Sequence, residues 1–142
     1  VLQASPDIFG LEDSVGVAVP NQIKKTFSLI KELAPNLPLR THLHNSRNTG
    51  LANAAAAIDA GVTIIDSSTG GIGGCPFAPK ATGNIPTDDL LYMLNRSGVE
   101  TGVDLNLVVE NSEWLETKLG RAVPAMVPKA GIFPENAEIN MQ

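Results

Sequence analysis

The chain has 142 residues, 43% of them hydrophobic and 18% charged, with a formal net charge of −5. That length suits one modest core, the acidic balance argues against a nucleic-acid partner, and no apolar run reaches the ~20 residues of a membrane-spanning helix. The single cysteine, Cys75, excludes an intramolecular disulfide and fits a reducing compartment.

Ile8 to Leu11 reads as a short buried strand running into Glu12-Asp13-Ser14-Val15-Gly16. Pro20 and Asn21 open a helix whose apolar stripe is Ile23, Phe27, Ile30 and Leu33, and Pro35 ends it. Leu37, Leu39, Thr41 and Leu43 alternate with Pro38, Arg40, His42 and His44, the period of a strand. Leu51 to Ala60 is alanine-rich and predicts a helix, with Gly61 as its stop. Val62 to Asp66 is continuous and β-branched, as expected of a strand covered on both faces. Ser67 to Asn84 is long for a connection in a compact domain, and such loops are usually functional or disordered. Pro86 to Asp89 starts a helix through Leu94, its acidic pair favouring the helix dipole, and Gly98 stops it. Asp104 to Leu119 predicts another helix, stopped by Gly120. The segment from Arg121 onward, with Pro124, Pro128 and Pro134, is expected to be extended unless it docks on something. With few aromatics, aliphatic side chains must fill the core. Alternating strands and helices predict an α/β fold with a parallel sheet, about three βα units, too short for a closed (β/α)₈ barrel of ~250 residues and so either a small open α/β sheet or the last part of a barrel.

The richest stretch is Gly70-Gly71-Ile72-Gly73-Gly74-Cys75-Pro76-Phe77-Ala78. Glycines allow close backbone approach, and Pro76 pins the chain directly after the thiol. Cys75 is either a catalytic acid or base on a loop shaped around it, or a small buried hydrophobe. His42 and His44 stand two apart on a predicted strand, so both rings share a face. Two imidazoles at the C-terminal end of a parallel strand can hold one metal ion, or they are polar strand-end residues bonded to neighbours. Asn84 offers an amide oxygen to a hard cation, or serves as a turn residue before the Pro86 helix. Asp13 and Asp66 end strands, where carboxylates either face a ligand or cap a turn. Arg47 and Lys80 lie in loops at the same end and either meet phosphate groups or face solvent. The glycine run lacks the spacing of a dinucleotide fingerprint.

Taken together, Ser67 to Ala78 resembles the active-site loop signature of the 3-hydroxy-3-methylglutaryl-CoA (HMG-CoA) lyase family. His42-Leu43-His44-Asn45 with Gly50 to Asn53 is similar to the family's metal strand and next helix, and Gly83-Asn84 with Asp88 to Leu94 to the segment after the loop. Leu11 to Gly16 is similar to its Asp-Thr-x-Gly strand end, with Ser14 where threonine is usual. Asn45 stands where some members carry aspartate. The likeness runs in order from about Ile8 to about Leu105. The H-x-H strand is shared with the isopropylmalate and homocitrate synthases, whereas the Gly-Gly-Cys-Pro loop points to the lyase branch.

The resemblance implies the C-terminal part, about three βα units, of a TIM (β/α)₈ barrel with additional C-terminal helices. Residues 1–120 would be the lyase-like fragment and 121–142 an extended tail. It implies Mg²⁺ or Mn²⁺ on His42, His44 and Asn84, Cys75 as the catalytic thiol, and Asp13 close to the substrate, with Arg47 and Lys80 as candidate CoA contacts. The reaction would be cleavage of HMG-CoA to acetyl-CoA and acetoacetate. The alternatives are a related lyase or aldolase on another 3-hydroxyacyl-CoA or 2-keto acid, and a non-catalytic barrel remnant acting as an assembly or binding module. The family's first-strand aspartate, and the arginine and glutamate of its N-terminal half, have no counterpart here, so the isolated chain is expected to be inactive. Open sheet edges predict self-association or pairing with the missing barrel half. No membrane or nucleic-acid partner is expected, and the compartment is the bacterial cytoplasm or the mitochondrial matrix.

Overall fold

The strand-forming runs assemble as a parallel sheet in the computed structural model, which describes residues 4–76, 78, 80 and 82–133. Strands β1 (Phe9–Asp13), β2 (Leu39–Leu43) and β3 (Ile64–Asp66) lie in the order β1-β2-β3. Phe9 pairs with Leu39, Asp13 with Leu43, and His42 with Asp66. Helices α1 (Pro20–Leu33) and α2 (Gly50–Asp59) make the connections between strands. Helices α3 (Thr87–Arg96), α4 (Leu105–Leu119) and α5 (Val127–Ala130) follow the loop after β3. None of the described helices is long and apolar enough to cross a membrane.

The core sits on one face of this sheet. Ile23, Phe27 and Ile30, spaced as a helical stripe requires, bring α1 against Leu39 and Leu43 of β2 and against Ala54 and Ala57 of α2. Phe27, Leu39 and Leu43 are fully buried, each worth about 1.5–3 kcal/mol relative to exposure. The alanines of α2 let two helices approach closely, where larger side chains would hold them apart.

The other face is where expectation and structure part. Ile8, expected in a buried strand, is 46% exposed. β3, expected to be covered on both faces, is only half-buried along its length. Gly10, Glu12, Arg40, His42, Ile64 and Asp66 share the uncovered face, since alternate residues of paired strands point the same way. β-Branched continuity reports that a strand tolerates burial, not that a second layer is at hand.

The loop after β3 is more structured than its length suggests. A 3₁₀ turn spans Thr69–Gly71, and Ser68 bridges to Pro86 in parallel fashion. Gly70 holds φ +69°, and a Cβ there would stand 2.9 Å from the Val123 side chain. Gly83 holds φ +152°, and a Cβ there would collide with the Gly71 carbonyl oxygen. The loop is therefore closed on itself at Gly83 and packed against Val123 at Gly70, two positions without room for a side chain.

Residues 121–133, expected to be extended unless docked, are docked. Val123, Ala125 and Val127 are buried, and the Ala125 N–H donates to the Gly70 carbonyl at 3.0 Å. Asp104 caps α4 by accepting from the Asn106 and Leu107 N–H groups. Residues 134–142, Pro134 included, lie outside the described residues, as does Phe77 of the glycine loop.

Candidate active site

His42 is the penultimate residue of β2, and His44 follows the strand's last residue. Their ring centroids are 5.3 Å apart, tilted by 59°. His44 has left the ladder to form an isolated antiparallel bridge with Asn84. The Asn45 N–H donates to the Gly83 carbonyl at 2.9 Å and the Ile85 N–H to the Leu43 carbonyl at 3.1 Å, clamping residues 83–85 along the end of β2. The chain thus brings together an imidazole pair and an amide forty residues away in sequence.

The polar atoms of this group are under-used. His44 is 4% exposed, yet its Nδ1 is buried without a hydrogen-bond partner, as is Oδ1 of Asn84. Buried polar atoms normally find partners, so two orphans on bridged residues fit an absent electrophile. The Asn84 amide is not free to turn: its Nδ2 donates to the Ile72 carbonyl at 3.0 Å, which fixes where Oδ1 points. Burial first, and then the neighbouring His42, push the His44 imidazole below the ordinary histidine value, with Asp13 and Glu12 pulling the other way. A neutral imidazole is the form that ligates a metal. His42, His44 and Asn84 therefore suit a divalent cation chemically. Among the described residues no three or more His, Cys, Asp or Glu side chains cluster as a metal cage, so these neutral donors make a partial set.

Asp13 is buried, and its two carboxylate oxygens accept from the Val17 N–H at 3.0 Å and the Ala18 N–H at 2.9 Å. The Asn53 amide donates to the Ala18 carbonyl, so β1, the 14–18 turn and α2 are tied at one point. Arg47 reaches back to the same turn, donating from Nη1 to the Val15 and Gly16 carbonyls. Lys80 is exposed. Cys75 is a free, half-buried thiol whose residue bridges to Ala78 across a tight turn. It belongs to a loop anchored at both ends on the histidine–asparagine group, through Ile72 on one side and Gly83 on the other.

Two residues that anchor the site were read in the sequence only as helix-dipole partners. Asp88, fully buried, accepts from the Gly70 N–H at 2.8 Å and from the Ser112 hydroxyl, fastening the glycine loop to α3 and α4. Asp89 accepts from the Met126 and Val127 N–H groups, fastening α5 and the strap before it. Their place in a first helical turn explains acidity but not burial. A signal was available in the chain: two adjacent carboxylates directly before Leu90-Leu91 lie partly on the helix's apolar side.

The sequence and the fold have counterparts among known proteins. The profile of the HMGL-like family matches residues 1–114. The chain is 48% identical over 126 residues to the (R)-citramalyl-CoA lyase of Chloroflexus aurantiacus, covering 88% of this chain and 40% of that protein. It is 36% identical over 115 residues to the hydroxymethylglutaryl-CoA lyase YngG of Bacillus subtilis, covering 81% of this chain and 38% of that one. An HMG-CoA lyase from Acinetobacter baumannii, solved with coenzyme A and 3-methylmalate, superposes with a TM-score of 0.88 at 38% identity, over 97% of this chain and 45% of that chain. The chain thus spans about 40% of the length of the relatives it matches, and its parallel sheet supplies three strands of their TIM barrel. With its profile matched over most of its length and its relatives named as carbon–carbon lyases, the chain belongs to the HMGL-like family.

Proposed function

We propose that this chain carries the metal-and-thiol end of a barrel that cleaves a branched 3-hydroxyacyl-CoA by a retro-Claisen reaction, with HMG-CoA as the substrate and acetyl-CoA and acetoacetate as products. The observation that carries the reading is the pair of orphaned buried atoms, His44 Nδ1 and Asn84 Oδ1, beside a loop that bears one free thiol. His42, His44 and Asn84 would hold a divalent cation, Mg²⁺ or Mn²⁺, which would supply the Lewis acidity that lowers the pKa of a substrate hydroxyl. In the cleavage the 3-hydroxyl would give its proton to the Asp13 carboxylate, the C2–C3 bond breaks to leave C3 as the ketone carbon, and the electron pair of that bond passes to the thioester as an enolate. The Cys75 S–H gives its proton to C2 of that enolate, and the loop keeps water from it. Asp13 borders the reacting hydroxyl: each of its oxygens holds one backbone N–H, and a carboxylate retains further lone pairs. Arg47, which steadies the 14–18 turn, and exposed Lys80 would meet the CoA phosphates.

A second substrate is favoured by one finding, the 48% identity to a citramalyl-CoA lyase against 36% to the Bacillus HMG-CoA lyase. The two esters share the tertiary 3-hydroxyl and the enolate product, so the same residues serve both, and the ketone released, acetoacetate or pyruvate, tells them apart. Both readings require the remaining barrel strands, through pairing with further chain or with another copy, and a cytoplasmic setting suits the bacterial relatives. The test is the chain fused to the complementary strands of a relative's barrel, assayed with Mn²⁺ on both esters. Metal-dependent release of one ketone, lost on Cys75→Ala while Mn²⁺ binding persists, is expected. A folded, Mn²⁺-binding barrel that cleaves neither ester overturns the reading.

A further inference from the structure

The uncovered face of the sheet carries an ion pair that the reaction above does not use. Arg40 lies two residues before His42 on β2, and Asp66 is the residue of β3 in register with His42. Arg40 Nε donates to both Asp66 oxygens, at 3.1 and 2.9 Å, and Nη2 stands 2.8 Å from Oδ1. A forked contact of this kind fixes the plane of a carboxylate as a single-point contact does not. The other consequence lies across the strand: Asp66 Oδ2 is 3.7 Å from His42 Nδ1. At that distance the contact is electrostatic rather than a hydrogen bond.

A ring nitrogen facing a held carboxylate is the one that keeps the proton, because a lone pair there would meet negative charge. The opposite nitrogen then presents its lone pair. Ligating histidines generally have their second nitrogen set in this way by a carboxylate or carbonyl. We propose that Asp66, held in orientation by Arg40, is a positioning residue that keeps the His42 proton on Nδ1 and leaves Nε2 as the ligating atom. The proposal deepens the metal reading and rests on His42 being a ligand. Surface ion pairs add little to stability, so the value of this one lies in ring orientation. Arg40 and Asp66 side chains are 51% and 28% exposed, so replacing them leaves the core intact.

The test starts without metal. In the full chain labelled with ¹⁵N-histidine, long-range ¹H–¹⁵N spectra are recorded at alkaline pH, with His44→Gln to assign the two rings. His42 is expected as the Nδ1–H tautomer. Asp66→Ala and Arg40→Gln are expected to move it toward Nε2–H, the form that free histidine favours in water, while Glu12→Gln leaves it unchanged. Mn²⁺ binding followed by electron paramagnetic resonance is then expected to weaken about 10–100-fold in Asp66→Ala, with Asp66→Glu recovering part of the loss. An Nε2–H ring in the parent chain, or a tautomer indifferent to Asp66→Ala, overturns the proposal whatever the metal does. Expected tautomers in a chain that binds no Mn²⁺ uphold the effect of the pair on the ring and overturn the ligand reading instead.

Discussion

Asp88 is the buried junction of the glycine loop, α3 and α4, and its replacement should separate two kinds of loss. In Asp88→Ala the Gly70 N–H and the Ser112 hydroxyl lose their acceptor inside the fold. Each unsatisfied buried donor costs about 1–3 kcal/mol, so the substitution should cost about 2–6 kcal/mol, much of the ~5–15 kcal/mol of a typical domain. In Asp88→Asn the amide oxygen still accepts from Gly70, and the Ser112 hydroxyl can rotate to accept from the new amide nitrogen. That exchange of partners should cost about 1 kcal/mol. Urea unfolding followed by circular dichroism measures both variants. Hydrogen exchange at the Gly70 amide reads the local effect and should speed at least about tenfold in the alanine variant, the equivalent of ~1.4 kcal/mol. Equal losses for the two variants, or a loss under about 1 kcal/mol for alanine, would refute the assignment of Asp88 as a doubly bonded anchor.

Other consequences are open to measurement. Gly83→Ala forces a Cβ against the Gly71 carbonyl oxygen at a backbone conformation that disfavours side chains, so it should destabilise by about 1–3 kcal/mol and weaken Mn²⁺ binding through displacement of Asn84, whereas Gly102→Ala, with open space at its Cβ, should leave Mn²⁺ binding unchanged. The pH dependence has a definite sign. Because the folded state holds His44 below its ordinary value, the unfolded chain binds more protons as pH falls below about 6.5. Stability without metal should therefore be complete above that pH and decline below it, down to the depressed folded value. His44→Gln should flatten this limb in chelator-treated samples, and an unchanged acid slope would remove His44 as its cause.

The elements of the fold were legible because each is a local matter. Pro20, Gly61, Gly98 and Gly120 stand where helices start or stop, and the alternation through Leu39–Leu43 is a strand in the structure. The metal-ligand candidates were legible in part, since two histidines at a spacing of two must share a face. What the sequence did not disclose is pairing across distance. Asn84 joined the histidines only through a family resemblance, its spacing giving no sign of the isolated bridge to His44, and Asp88 and Asp89 find partners 18 and 37 residues away. Asp13 shows the same limit from the other side: a strand-end carboxylate reads either as ligand-facing or as a turn residue, and its oxygens accept from the turn that follows it. A local pattern states a residue's chemistry, and only the closed chain states which group that chemistry meets.

The contact between Asn84 and Ile72 ties a neck around residues 73–83. Among the described residues inside that noose, the Thr82 N–H also donates to Ser46 Oγ at 3.1 Å. The entropy of closing such a loop grows slowly with its length, about 0.6 kcal/mol per doubling. Lengthening the segment between Cys75 and Gly83 should therefore cost little in closure entropy, while the neck keeps the Asn84 amide oxygen aimed. A barrel built this way separates the segment that carries the thiol from the strand end that carries the two histidines, so the length of one can change without moving the other.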